Sequence, residues 1–113
     1  MPFVKVSVGK PLSEVECLSV YDIVKDNISV IPGKTVDNSM VQVEGNALTF
    51  MKAEKMPCVF IDVRLYGTAP QEAKAEFVEK TCAGISELLG IGVGNIYMNI
   101  QEFSNFGAGG AWK

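Results

Sequence analysis

From Pro2 to Val8 the chain alternates, with Val4, Val6 and Val8 on one face and Lys5 and Ser7 on the other, the period of a half-buried strand. After a turn at Gly9–Leu12 the period changes. Ser13 with Glu16 forms a capping box, and Cys17, Tyr21, Val24, Ile28 and Ile31 recur at steps of four and three, which predicts an amphipathic helix stopped by Pro32 and Gly33. Val41 to Glu44 returns to period two, Gly45-Asn46 supplies a turn, and Ala47 to Met51 reads as a short extra strand.

The second half repeats this order. Cys58 to Tyr66 is the strongest strand signal, with Val59, Ile61, Val63 and Leu65 on one face and Phe60, Asp62, Arg64 and Tyr66 on the other. Thr68 with Gln71 reads as a second capping box, with Pro70 in the first turn. Phe77, Val78, Cys82, Ile85, Leu88 and Leu89 make the apolar stripe of a second helix closed by Gly90. Ile96 to Gln101 is a strand with Ile96, Met98 and Ile100 opposite Tyr97, Asn99 and Gln101, and a Gly-rich tail from Phe103 ends near the single Trp112. Two strand-helix-strand units imply right-handed crossovers that lay both helices on one face of a single four-stranded sheet, an α+β arrangement in one domain spanning residues 1–113. The other face carries Asp62, Arg64, Tyr66, Tyr97 and Asn99, too mixed for an ordinary core, so a second protein surface is expected to cover it.

Composition narrows the chemistry. At 113 residues the chain is one domain that buries only about two thirds of its unfolded surface, and oligomerisation would add burial. A net charge of −3 without basic runs gives no footprint for nucleic acid or an anionic membrane. No apolar run approaches the roughly 20 residues of a membrane helix and no leader is evident, so a soluble cytoplasmic protein is expected. The three cysteines, Cys17, Cys58 and Cys82, are too few and scattered for a disulfide framework or a zinc site, and read as buried small hydrophobes; no metal or other cofactor is expected. The absence of His removes the commonest general base together with every Ser-His or Cys-His nucleophile.

Pro2 offers another carrier. Removal of Met1 would leave a secondary amine at the chain end, and an apolar pocket with a nearby cation such as Lys34 would lower its pKa and leave it neutral at pH 7. A Met-Pro start alone is common without any catalytic role. Tyr97 and Asn99 point the same way from one strand, as catalytic donors or as interface packing. Lys34 by itself is a solvated loop cation, Arg64 and Asp62 pair with each other or with a neighbouring chain, and Trp112 packs over a pocket mouth or a neighbour.

Taken jointly, Met1-Pro2, Gly33-Lys34 after the first helix, Val41-Gln42-Val43, Met56-Pro57-Cys58 and above all Ile96-Tyr97-Met98-Asn99 resemble the macrophage migration inhibitory factor family of the tautomerase superfamily, over nearly the whole chain and without a gap from Gly33 to Gly67. The resemblance implies a βαβ-βαβ protomer, a homotrimer with sites between subunits, and cofactor-independent keto–enol tautomerisation of phenylpyruvate-like 2-oxo acids. It casts Pro2 as acid and base and Lys34 as ligand of the substrate carboxylate, with Tyr97 and Asn99 supplied by the adjacent chain and Tyr66, Arg64 and Trp112 bordering the site.

The chain departs from the family where Tyr66 replaces an aliphatic wall residue, where Ile61 removes a thiol partner for Cys58, and where Asn105–Gly110 replaces the usual tail. Gly67-Thr68-Ala69 occupy the place where sister branches that hydrate, dehalogenate or decarboxylate small acids carry an Arg pair, although Arg64 keeps a small-acid lyase or hydratase in play. A non-catalytic trimeric binding or signalling protein is the other alternative.

Overall fold

Residues 2–113 are described by a computed structural model of the chain. The first strand, β1 (Pro2–Val8), leads through the Ser13 cap into helix α1 (Glu14–Asn27). The Ser13 hydroxyl accepts from the Glu16 N–H at 3.1 Å while the Glu16 carboxylate accepts from the Ser13 N–H at 2.9 Å, so the expected capping box is complete. Strand β2 (Met40–Glu44) follows, then a small hairpin of β3 (Phe50–Met51) and β4 (Glu54–Lys55), then β5 (Val59–Tyr66), helix α2 (Gln71–Leu89) and β6 (Ile96–Phe103). A second hairpin, β7 (Gly107–Ala108) with β8 (Ala111–Trp112), follows β6.

The main sheet runs β2-β1-β5-β6. Each crossover joins parallel neighbours, β1 with β2 and β5 with β6, and the two halves meet along an antiparallel seam between β1 and β5. This is the expected α+β architecture of two βαβ units. Val4, Val6 and Val8 of β1 and Ile61, Val63 and Leu65 of β5 are fully buried against Val20, Val24, Phe77 and Ile85 of the helices. On the opposite face Lys5 pairs with Glu44 at 3.7 Å, and Phe60, Arg64 and Tyr97 are exposed. The helices pack closely because Gly84 of α2 leaves room for Ile23 of α1: a Cβ there would stand 3.0 Å from the Ile23 Cγ2.

Several expectations are corrected. The first helix does not run to Ile31 as α-helix; the Asn27 side chain donates to the Ile23 carbonyl at 2.8 Å, and residues Ile28–Val30 tighten into a 3₁₀ turn. Val20, absent from the expected stripe, is fully buried, while Cys17 and Tyr21 flank the inward face and are half-buried. Leu88 is exposed, because consecutive helical positions diverge by about 100° and Leu89 takes the inward place. The box proposed at Thr68 does not form. Pro70 is itself the extended residue ahead of α2 and makes no side-chain cap, and the helix begins at Gln71. Of the extra strand read over Ala47–Met51 only Phe50 and Met51 are strand. The Gly90 stop is present, its N–H donating to the Ser86 carbonyl at 2.9 Å.

Thr81 on the buried side of α2 is fully enclosed, and its hydroxyl has no partner among the described residues. Replacing an unsatisfied buried hydroxyl by a methyl of like shape removes a desolvation penalty. Thr81→Val is therefore expected to stabilise the fold by about 1 kcal/mol, read as a higher midpoint in urea with an unchanged slope; a lower midpoint would show that the hydroxyl is bonded.

Candidate functional site

The β1–β5 register puts Pro2 opposite Leu65, on the helix-facing side at the end of the seam, and Pro2 is buried. Beside it opens a cavity of about 380 Å³, lined by Pro2, Phe3, Met40, Arg64, Phe106 and residues 107–109. Met1, whose removal would free the Pro2 amine, lies outside the described residues.

The wall formed by residues 103–113 is built by aromatic contacts and glycine. Phe106 stands 6.2 Å, ring centre to ring centre, from both Tyr66 and Phe103. Phe106 and Lys113 exchange two backbone hydrogen bonds of 2.9 Å, and Gly109 and Gly110, with φ of 59° and 83°, turn the hairpin between them. Trp112 is 76% exposed and borders a second cavity of about 220 Å³ together with Arg64, Phe103 and Phe106.

Lys34 follows Gly33, whose φ of 77° suits the sharp exit from the helical segment. The Lys34 ammonium donates to the Tyr66 backbone carbonyl at 2.9 Å, and Lys34 is not among the residues lining the Pro2 cavity. Arg64 is, and it makes a 3.3 Å ion pair with Asp62, in keeping with the pairing read from the sequence. Tyr66 is half-buried at the end of β5, so the departure from an aliphatic residue brings a phenol into the aromatic cluster.

Tyr97 and Asn99 are elsewhere in this chain. Tyr97 pairs with Phe60, which pairs with Ser7, five residues along β1 from Pro2 and so roughly 17 Å away at strand rise. Tyr97 is 57% exposed and lines a separate cavity of about 240 Å³ with Ser7, Phe50, Cys58 and Phe60. Asn99 stands next to Asp62 on the open face. One protomer thus brings together Pro2, Arg64 and the Phe106 hairpin, with Lys34 and Tyr66 at their edge, and leaves Tyr97 and Asn99 facing outward.

The sequence reading missed Phe3, Met40 and Phe106 as cavity lining. It also missed Glu102. The Glu102 carboxylate accepts from the Ala69 N–H at 2.7 Å and from the Lys74 ammonium at 3.2 Å, joining the end of β6 to the start of α2. The backbone N–H first, and Lys74 after it, hold its pKa below the ordinary 4.5. A carboxylate lowered in the folded state stabilises the fold above its unfolded pKa, and that contribution is lost as pH falls through the folded value. Glu102→Gln is accordingly expected to melt below wild type at pH 7, with the gap closing as melts are repeated from pH 5 down to pH 3. A gap independent of pH would assign it to shape alone.

Among the described residues no three Cys, Asp or Glu side chains are grouped to hold a metal ion, and no helix is long and apolar enough to cross a membrane. Neither a protein-family model nor a curated protein sequence matches the chain. Solved structures do. The chain superimposes on MIF2 of Leishmania major with a TM-score of 0.89 over 100% of this chain and 97% of the other, at 18% identity.

The chain has the macrophage migration inhibitory factor fold.

The homologue of that factor from Prochlorococcus marinus gives 0.85 over 97% of both chains at 16% identity. The same fold extends to a fused 4-OT protein described as an asymmetric trimer, with a TM-score of 0.85 over 96% of this chain and 94% of that one, at 13% identity. The likeness drawn from Met1-Pro2, Gly33-Lys34 and Tyr97-Met98-Asn99 thus holds at the level of the macrophage migration inhibitory factor fold.

Proposed function

We propose that the protein is a homotrimeric keto–enol tautomerase of phenylpyruvate-like 2-oxo acids, with the Pro2 nitrogen as acid and base once Met1 has been removed. The observation that carries this reading is the burial of Pro2 at the end of β1, in an apolar cavity with one cation on its wall, in a fold shared with macrophage migration inhibitory factor proteins. Apolar walls and a neighbouring positive charge both disfavour a protonated amine, so the neutral base is the resting form. It takes the proton from the carbon next to the ketone as the electron pair moves onto the carbonyl oxygen. The resulting ammonium returns the proton to that oxygen, which completes the enol; the reverse sequence gives the ketone. One proton changes place and no cofactor is consumed.

Tyr97 and Asn99 join this site from the adjacent subunit. Their exposure on a sheet face with no cover in the protomer supports that placement, as does the trimeric state of the fused 4-OT neighbours. The open face then becomes the subunit interface. A ketonisation assay on enol-phenylpyruvate tests the reading, using protein whose intact mass shows Met1 absent and whose sedimentation shows a trimer. Turnover above the buffer rate is expected; a processed trimer that does not accelerate the reaction overturns it.

A small-acid lyase or hydratase is supported by a single observation, Arg64 in the Pro2 cavity. It requires turnover of a three-carbon acid exceeding that of phenylpyruvate.

A further inference from the structure

Strand register divides the open face of the sheet into three rows. Met40, Phe3, Arg64 and Gln101 lie level with one another at the end nearest Pro2, Gln42, Lys5, Asp62 and Asn99 come next, and Glu44, Ser7, Phe60 and Tyr97 make the far row. The charges of this face are matched within it, Lys5 with Glu44 and Arg64 with Asp62. Its apolar groups are left open. Met40 is exposed at the near end, and Phe50, Phe60 and Tyr97 are exposed at the far end around one cavity of about 240 Å³. Aromatic side chains held out in this way are what the centre of a protein interface collects.

Phe60 and Tyr97 are register partners on adjacent strands, about 4.8 Å apart, and their side chains leave the same face. Any arrangement that carries the Tyr97 ring to a neighbour's Pro2 therefore carries the Phe60 ring with it. We infer that Phe60 of one chain closes the Pro2 cavity of the next, seated against Phe3 and Met40, and shuts water away from the amine. The inference rests on the head-to-tail trimer of the proposed function and adds a residue to its site. Apolar far row then meets apolar near row, and the cavity that is open in the protomer gains its missing wall. Phe60 is a positioning residue that acts through the environment of the Pro2 nitrogen: water excluded from a neutral amine is water that cannot solvate the ammonium. The charged groups at this end are Arg64 with Asp62, Lys34 on the Tyr66 carbonyl, and Glu102 with Lys74, joined by Asp62 and Glu44 of the incoming chain. A substitution at Phe60 alters none of them.

Cross-linking tests the contact and titration tests the closure, both on protein with Met1 removed. Phe60 is replaced by p-benzoylphenylalanine, and equal amounts of ¹⁵N-labelled and unlabelled chains are unfolded and refolded together. Irradiation is expected to join position 60 to the segments around Phe3 or Met40, with about half of the products carrying one labelled and one unlabelled chain. Within its own chain Phe60 stands level with Ser7, four residues or roughly 13 Å of strand from Phe3, so the same products cannot arise internally. Products of single isotope composition only, or none at those segments, overturn the assignment. The Pro2 ¹⁵N resonance then gives the pKa of the amine: Phe60→Ser should raise it by about one unit in the assembled trimer, and Phe60→Leu should hold it near wild type. A trimer of Phe60→Ser with an unmoved pKa overturns the closure; if that variant does not assemble, the cross-link decides. Neither measurement uses turnover. An inactive trimer that cross-links as expected would sink the tautomerase reading alone, and an active trimer without the cross-link would sink this inference alone.

Discussion

Protein carrying Pro2→Ala, with Met1 removed, is expected to ketonise enol-phenylpyruvate about 100-fold more slowly than wild type, the lower range of what a positioned acid–base group contributes. The variant still ends in an amine, so the loss measures what the ring supplies. The pyrrolidine locks φ and fixes where the nitrogen lone pair points. It also fills the helix-facing position opposite Leu65, which Ala would only partly occupy. A second form sharpens the result. Protein in which Met1 is retained keeps every side chain, but its Pro2 nitrogen is an amide whose lone pair is delocalised into the carbonyl, and it should show no turnover above buffer. Near-ultraviolet circular dichroism should report the same packing in all three proteins. Activity of Pro2→Ala within about three-fold of wild type would remove Pro2 from the chemistry.

Mixing two inactive variants should restore activity. Asn99→Ala is expected to lose about 100-fold by removing a donor aimed at the reacting oxygen. In the proposed ring each site takes Pro2 from one chain and Asn99 from the next, a head-to-tail interface. When Pro2→Ala and Asn99→Ala chains are unfolded together and refolded in equal amounts, half the chains bring an intact Pro2 and half their neighbours an intact Asn99. About a quarter of the sites should therefore be whole, and the mixture should recover about a quarter of wild-type activity. Within one chain Asn99 is level with Lys5, three residues or roughly 10 Å of strand from Pro2 and two strands across the sheet, and that separation is the reason to expect complementation. A mixture no more active than the mean of its parents would place the whole site within a single protomer.

The main sheet was legible because its signals were local and repeated. Val4, Val6 and Val8 declare a buried face by alternation alone, as do Val59, Ile61, Val63 and Leu65, and the Ser13–Glu16 box sets the start of α1 to the residue. Less was legible where a contact spans the chain. Glu102 reaches Ala69 and Lys74 from the end of β6, and no spacing rule joins those positions. The hairpin over residues 50–55 was hidden for a different reason. Its turn residues, Lys52 and Ala53, take left-handed φ values of 55° and 62°, where Asn-Gly would have announced the turn. Gly109-Gly110 did carry that signal between Ala108 and Ala111, and the tail could have been read as a hairpin.

At the candidate site, Pro2, Lys34, Tyr66 and Arg64 were named from residue type, place in the chain and the family resemblance. The partnership of Arg64 with Pro2 was not, since it depends on the antiparallel β1–β5 register that sets Phe3 opposite Arg64.

The hairpin of residues 106–113 meets the rest of the protomer through the Phe106 ring, against Tyr66 and Phe103, and none of its residues belongs to the buried core. It nevertheless forms one wall of the Pro2 cavity. Under the proposed function, folding and substrate scope are thereby written in separate stretches of chain. A lineage could lengthen, shorten or rewrite these eight residues and so change which acids enter, while the valines and isoleucines that hold the sheet to its helices stay as they are. That separability makes the segment a natural target for directed diversification: a library confined to it would sample new specificities while leaving the core packing intact.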